Sequence, residues 1–191
     1  MNRLLRSVAL VTCVLWPASA LPADADGEGA FDFFHGRWHA KNRRLVKWLQ
    51  GSQEWETFES TNDVKPLRAG LGLVDEISFA AWKPGLAGVA LHLFNPGTKK
   101  WTLHWADNRT GELQSPVSGA FAGGVGIFEG TDTLDARPIL VRNVWKDITP
   151  TSLRWEQSFS ADQGRTWEIN WTMDLTRSDG QASRRSPARA E

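Results

Sequence analysis

Short runs of alternating or wholly apolar residues follow one another along most of this chain, and glycine, proline, asparagine or aspartate separates them. Runs of this length, bounded by turn residues, predict β-strands joined by hairpins. The predicted strands cover residues 37–45, 54–64, 73–79, 89–94, 101–106, 117–121, 125–133, 139–145, 152–159 and 166–175. Only residues 31–34 and 47–49 suggest helical turns.

An open sheet built from these strands would leave unpaired backbone groups along two edges. Closing the sheet on itself removes both edges. The pattern therefore predicts an all-β fold, an antiparallel up-and-down barrel of about 8 to 10 strands with little helix.

The hairpin over residues 89–106 allows the two central histidines to be placed. A turn at residues 96–99 sets Asn95 opposite Lys100, which puts His92 opposite Leu103 and His104 opposite Leu91. The two histidines then point to opposite faces of the sheet and cannot share a metal ion, unless a single-residue bulge shifts the register. Both faces are apolar, so the pattern leaves open which one points inward.

The last hairpin alternates more clearly. Apolar positions recur at every second residue of both strands, which predicts one inward set. That set is Leu153, Trp155, Gln157, Phe159, Trp167, Ile169, Trp171 and Met173. Gln157 is the polar member, and two roles stay open for it: it orients a ligand, or the backbone satisfies its hydrogen bonds.

Residues 160–167 match the Asp-box pattern S-x-D-x-G-x-T-W. In this turn the aspartate, here Asp162, caps backbone amides, and the glycine, here Gly164, adopts a left-handed conformation. Sialidases carry several such boxes and this chain carries one, so the motif predicts a folding device rather than a glycosidase.

The two ends of the chain differ from the middle. Arg3 and Arg6 precede a short apolar run that ends at Ala18-Ser19-Ala20, so residues 1–20 are predicted to be a secretory signal peptide of an exported protein, periplasmic or secreted. Residues 21–30 and 178–191 are predicted to be disordered, which leaves 31–177 as one barrel domain. The arginines of the C-terminal tail either stay solvated or make weak contact with a membrane surface.

Composition narrows the function classes. Removal of residues 1–20 would leave 20 basic and 22 acidic residues, a formal charge of −2, which excludes a strongly basic nucleic-acid binder. It would also remove Cys13, the only cysteine, so no disulfide is expected. No segment of the remaining chain is apolar for long enough to predict a transmembrane helix.

Most of the conventional catalytic motifs are absent from the sequence. There is no Gly-x-Ser-x-Gly elbow, no phosphate-binding loop and no His-Glu-x-x-His helix. His35 and His39 have a spacing that would align them on a helix, but the pattern places them on a turn and a strand. We therefore expect neither a metal site nor a cofactor.

Gly36-Arg37-Trp38 begins the first predicted strand and resembles the Gly-x-Trp signature of lipocalins. The longer opening FDFFHGRW, with residues 54–56, 132–138, 149–151 and 154–157, resembles a bacterial family of exported lipocalin-like, calycin-type proteins. The resemblance implies a calycin-type barrel and no particular activity. It also implies that a basic residue late in the chain packs across Trp38 and closes one end of the barrel, and Arg177 is the candidate.

The sequence favours a barrel that binds a small hydrophobic or amphipathic molecule in an aromatic cavity. The predicted ligand-binding residues are Trp55, Trp105, Trp155, Gln157, Trp167, Trp171 and Arg142. One alternative is a barrel isomerase, hydratase or lyase that uses His92 or His104 as acid or base. Another is a structural or protein-interaction module with a filled barrel. Six charged residues at strand ends and turns either bind an anionic headgroup or perform acid–base chemistry at the cavity mouth, or serve as turn caps and surface pairs: Asp107, Arg109, Asp132, Asp135, Arg137 and Arg142.

Overall fold

The computed structural model describes residues 27–178, so the predicted signal peptide and nearly all of the C-terminal tail lie outside the described residues. The predicted all-β fold is confirmed: ten antiparallel strands close into an up-and-down barrel. The strands are β1 (Gly36–Leu45), β2 (Trp55–Pro66), β3 (Gly72–Ser78), β4 (Ala87–Asn95), β5 (Lys100–Asp107), β6 (Val117–Ala122), β7 (Val125–Leu134), β8 (Arg137–Lys146), β9 (Ser152–Ser160) and β10 (Glu168–Arg177).

Two short 3-10 helices accompany the strands, at Glu28–Phe34 and at Arg68–Gly70. The first confirms the helical turn predicted at 31–34. The turn predicted at 47–49 is wrong: those residues form a bend, in which Leu49 has a left-handed backbone with φ of 54°. Within residues 27–178, neither helix is long and apolar enough to cross a membrane.

Each strand pairs with its neighbours in sequence, and β1 closes the barrel by pairing with both β2 and β10. Successive connections therefore alternate between the two ends of the barrel. The helix Glu28–Phe34 closes the end at which β1 begins, which we call the plugged end. The connections 46–54, 79–86, 108–116, 135–136 and 161–167 surround the other end, the mouth.

Aromatic packing explains the plug. Phe31 is buried and packs against six rings, those of Phe33, His92, Trp101, Phe121, Phe128 and Trp145. The barrel domain begins before the expected Phe31, since Ala30 is buried and the Gly27 carbonyl accepts a hydrogen bond from the Trp101 indole at 2.8 Å. This half of the barrel is a filled core.

Arg177 completes the plugged end, as the resemblance predicted. Its guanidinium lies 4.3 Å from the centre of the Trp38 ring and donates to the carbonyl oxygens of Phe33, His35 and Pro150 at 2.5, 2.7 and 2.7 Å. A Cβ atom on Gly36 would lie 2.9 Å from Arg177 Nη1, and Gly36 has φ of 109°. Glycine is therefore needed at this position both for space and for backbone conformation.

The register predicted for residues 89–106 is confirmed: His92 pairs with Leu103, and His104 pairs with Leu91. The structure decides the face that the sequence left open. His92 contacts Phe31 of the plug with ring centres 4.7 Å apart, so the face that carries His92, Leu103 and Trp105 points into the barrel. His104 is on the outward-facing set.

The alternation predicted for the last strand is wrong over its first half. The register between β9 and β10 shifts between Ile169 and Trp171, which makes Asn170 the extra residue of a β-bulge. Because a bulge switches the faces of the residues before it, Ile169 is exposed while Trp171 and Met173 point inward.

The Asp-box turn has the predicted conformation. Asp162 accepts hydrogen bonds from the Thr166 amide at 2.9 Å and the Thr166 hydroxyl at 2.7 Å, and Gly164 has φ of 86°. These bonds hold the pKa of the Asp162 carboxyl down at about 2. The turn is the hydrogen-bonded connection between β9 and β10 at the mouth end.

Candidate functional site

A cavity of about 630 Å³ occupies the mouth half of the barrel. Its floor is Phe34 of the plug, which contacts His92 and Trp145 at ring-centre distances of 6.3 and 4.8 Å. Aromatic side chains form much of its wall: Phe79, Trp82, Trp105, Trp155, Phe159 and Trp171. Known small-molecule pockets fall in the range of about 300–1,000 Å³, so the space suits a ligand of that kind.

The connection 108–116 borders the mouth of the cavity. β5 and β6 pair between Trp101–Leu103 and Val117–Gly119, and nearer the mouth this connection continues along β5, where the Gln114 amide donates to the Trp105 carbonyl at 2.8 Å. Leu113 of the connection lines the cavity with 63% of its surface exposed. An exposed apolar residue at the entrance would contact a hydrophobic molecule on its way in.

Asp107 and Arg109 stand at this mouth as a mutually bonded pair. Arg109 Nη2 donates to Asp107 Oδ2 at 2.7 Å, and the Arg109 amide donates to Asp107 Oδ1 at 2.9 Å. The side-chain hydrogen bond from Arg109 lowers the pKa of the Asp107 carboxyl. Asp107 is thus a turn cap as well as an ion-pair partner. Asp132 also lines the mouth, with Thr133 beside it.

Arg44 forms an aromatic cluster at the mouth end of β1. Its guanidinium lies 4.4, 5.4 and 5.6 Å from the ring centres of Trp48, Trp171 and Trp82, and it donates to Glu56 at 3.3 Å. Burial is the main cause that lowers the pKa of Arg44. The cluster joins two mouth connections to the barrel wall. Trp82 and Trp171 are far from Arg44 in the sequence, and the pattern of the chain did not predict the cluster.

Several polar side chains inside the barrel are paired. Asn42 Nδ2 donates to the Ser60 hydroxyl, and Asn42 Oδ1 accepts from the Trp171 indole, each at 2.9 Å. The hydrogen bond from the Trp171 indole to Asn42 fixes the Trp171 ring in the cavity wall. Asn62 Nδ2 donates to both carboxyl oxygens of Asp75, at 3.1 and 2.8 Å. Burial raises the pKa of Asp75 to about 7.

Two carboxamides in the wall are not paired in this way. Asn143 on β8 stands directly opposite Gln157 on β9, and both line the cavity. Within residues 27–178, neither side chain forms a hydrogen bond with another protein group, and Asn143 Oδ1 is buried without a partner. We call Asn143 and Gln157 the amide pair. Buried polar atoms in native proteins normally have partners, and three atoms of the cavity wall, Asn143 Oδ1, His92 Nδ1 and Trp145 Nε1, have none within residues 27–178. Asn143 and Gln157 are the neighbouring carboxamides among these wall residues, so they are the group that could both donate to and accept from a bound molecule.

His92 is neutral in this cavity. Only 2% of its surface is exposed, and burial alone lowers its pKa to about 3. Its Nδ1 atom has no hydrogen-bond partner, and within the described part of the chain no carboxylate or guanidinium forms an ion pair with it. His104, the second candidate acid or base, is half-buried and alternates with the inward Leu103 and Trp105 on β5, and it borders the cavity near the mouth.

The structure separates the predicted ligand-binding residues into two groups. Trp105, Trp155, Gln157 and Trp171 line the cavity. Trp55, Trp167 and Arg142 do not: Arg43 covers Trp55 at 4.6 Å, and Arg142 covers Trp167 at 3.8 Å while donating to Glu129. Successive side chains of a strand point to opposite faces. Trp55 alternates with the inward Glu56 and Phe58, so it points out of the barrel. Arg142 alternates with the inward Val141 and Asn143 and also points out.

The two histidines near the plugged end, His35 and His39, have different surroundings. His39 faces Glu59 on the surface at 3.4 Å, whereas His35 is half-buried and burial is the main cause that lowers its pKa. Among residues 27–178, no group of three or more His, Cys, Asp or Glu side chains is arranged to hold a metal ion.

Comparison of the chain with protein-family models gives no match, and comparison with curated proteins gives none either. The function is therefore inferred from the cavity and the residues that line it.

Proposed function

We propose that this protein is an exported binding protein that holds a small apolar or amphipathic molecule in the mouth half of its barrel. One observation carries the proposal: a cavity of about 630 Å³ with a largely aromatic wall lies above a filled aromatic plug. Burial of an aromatic or aliphatic ligand there would remove apolar surface from water on both sides, at about 25 cal/mol per Å². Trp105, Trp155 and Trp171 would supply most of the contact area.

The alternatives are less well supported. A filled structural barrel has no use for such a cavity. An acid or base at His92 would need a charged partner to tune it, and none contacts it within residues 27–178. With a pKa of about 3, His92 is not an imidazolium near neutral pH, so it is a weak general acid, and it also accepts a proton poorly.

The test compares native and denatured mass spectra of the protein purified gently from its own host. We expect a reproducible extra mass that is lost on unfolding. Ala90→Phe, which places a ring in the cavity, should lose that mass, because Ala90 lines the cavity. Ala120→Phe on the exposed outer face of β6 is the matched control and should keep it. A bare polypeptide mass, or an extra mass retained by Ala90→Phe, would contradict the proposal.

Export and family membership are part of the same proposal. Residues 1–20 have the composition of a signal peptide, and the Trp38–Arg177 contact with Gly36 beside it supports a place among the calycin-type proteins. Cell fractionation followed by N-terminal sequencing tests export. A mature chain that starts at Leu21 in the periplasm or medium is expected, and an intact Met1 chain in the cytoplasm would refute it.

A further inference from the structure

We propose that the amide pair selects a ligand carrying an uncharged hydrogen-bonding group, a carbonyl, carboxamide or hydroxyl, on an aromatic or apolar body. This inference rests on the proposed function, because it names the chemistry of the molecule that the cavity would bind. Each carboxamide offers two donors and one acceptor oxygen. Asn143 and Gln157 together can therefore both donate to and accept from one polar group of a ligand. A purely apolar ligand would leave these donors and acceptors without partners.

Two other polar groups of the interior are held by hydrogen bonds within the wall. Asn42 bonds to Ser60 and Trp171, and Asp75 accepts two bonds from Asn62. These groups hold the barrel wall together, and a ligand would have to break their bonds to use them. The amide pair is free of such bonds within the described residues, so a ligand would reach it at no such cost.

Charge around the cavity argues for a neutral group. The cationic side chains that line it among residues 27–178 are Arg44 and Arg109, and each already donates to a carboxylate. His92 is neutral. An anionic group at the amide pair would be buried without a counter-ion, which is costly. A cationic group would gain little, since Asp107 is paired with Arg109 at the mouth and Asp75 is held by Asn62.

The aromatic neighbours set the shape of the body. Gln157 stands between Asn143 on β8 and Trp171 on β10 across three adjacent strands. Trp155, two residues before Gln157, contacts Trp171 edge-on with ring centres 5.9 Å apart. A flat ring system packed against these indoles would have its polar edge beside the amide pair.

Four probes on one ring system test the inference: naphthalene, 2-naphthamide, 2-naphthoate and 2-naphthylmethylammonium, each titrated by calorimetry at pH 7.5. We expect 2-naphthamide to bind about three- to tenfold more tightly than naphthalene, the effect of one or two net hydrogen bonds. Naphthoate and the ammonium probe should bind more weakly than the amide.

Two variants and a control locate the effect. Gln157→Leu should abolish the three- to tenfold preference for 2-naphthamide over naphthalene while naphthalene still binds, and Asn143→Leu should do the same if Gln157→Leu does not fold. Gln53→Leu, at an exposed position in the connection 46–54, should change neither affinity. Melting temperatures establish that each variant is folded.

The outcomes distinguish the two proposals. Equal affinity for naphthalene and naphthamide, an advantage that survives both leucine variants, or tightest binding by a charged probe would overturn the inference while the binding function stands. Failure of all four probes to bind would also overturn this inference, whereas the comparison of native and denatured masses decides the binding function separately.

Discussion

Asp75 and Asn62 form a buried side-chain pair across β2 and β3, in which one amide nitrogen donates to both carboxyl oxygens. Asn62 Oδ1 is left without a partner. A protonated Asp75 could donate its hydrogen to that oxygen, which would complete a two-bond pair. The raised pKa of Asp75, about 7, agrees with a carboxyl group that the folded protein keeps protonated in mild acid.

This pair predicts an unusual pH dependence of stability. The pKa of Asp75 rises from 3.8 to about 7 on folding, so the unfolded chain releases its proton first as the pH increases. The contribution of Asp75 to stability is complete below pH 3.8 and is lost as the pH rises towards 7, by at most about 1.4 kcal/mol per pH unit. Urea unfolding of Asp75→Asn at pH 5.0 and 6.5 should lack this loss. If the free energy of unfolding of Asp75→Asn fell between pH 5.0 and 6.5 by as much as that of the unchanged protein, the assignment would be refuted.

His92 predicts the opposite trend. Its pKa falls from 6.5 to about 3 on folding, so its contribution is complete above pH 6.5 and is lost on acidification towards pH 3. The two effects oppose each other between about pH 4 and 6.5. We expect His92→Leu to become more stable on acidification in this range and Asp75→Asn to become less stable. Slopes of the same sign in the two variants would show that these groups do not control the trend.

Arg177→Lys should destabilise the plugged end. Lysine keeps the charge but loses the flat contact with Trp38 and the set of bonds to three backbone carbonyls, for a cost of about 1–3 kcal/mol in the free energy of unfolding. Arg37→Lys is the control, because 76% of the Arg37 side chain is exposed, and it should change stability by less than about 0.5 kcal/mol. Equal effects of the two variants would contradict the role given to Arg177.

Phe31→Ala should cost about 3–5 kcal/mol, since it removes a buried ring from the centre of the plug. Phe33→Ala, in which the lost ring is only half-buried, should cost clearly less. Denaturant unfolding gives both values. A small effect of Phe31→Ala would mean that the N-terminal helix is not part of the cooperative core.

Fluorine NMR of protein labelled with 5-fluorotryptophan tests which indoles line the cavity. Signals are assigned by replacing one tryptophan at a time with phenylalanine. Addition of a bound probe should shift the signals of Trp105, Trp155 and Trp171, which line the cavity, and leave those of Trp55 and Trp167 in place. A shift at Trp167 comparable to that at Trp171 would place the ligand elsewhere.

Local patterns were enough to predict the strands and the turn chemistry. Alternation and turn residues located all ten strands to within a few residues, and the 89–106 register followed from its short turn. The helical turn at residues 31–34 and the Asp-box hairpin were also predicted from the sequence, because the backbone conformation there depends on residues close in sequence. The contact between Trp38 and Arg177 is long-range, and it was predicted only through a family resemblance.

The cavity itself depended on tertiary structure. Whether the His92 face points inward was decided by Phe31, more than fifty residues away in the chain. Because of the bulge at Asn170, Ile169 points to the surface. Trp55 and Arg142 point away from the cavity because they alternate with the inward residues of their strands. From residue type alone, all three could have lined the cavity. Pairs such as Asn62–Asp75 and Asn143–Gln157 form only when strands meet in one register. By itself the sequence determined a closed barrel of alternating strands, because that pattern is local. Only the fold decided which side chains share the interior and which polar groups remain without partners, because those depend on contacts between distant segments.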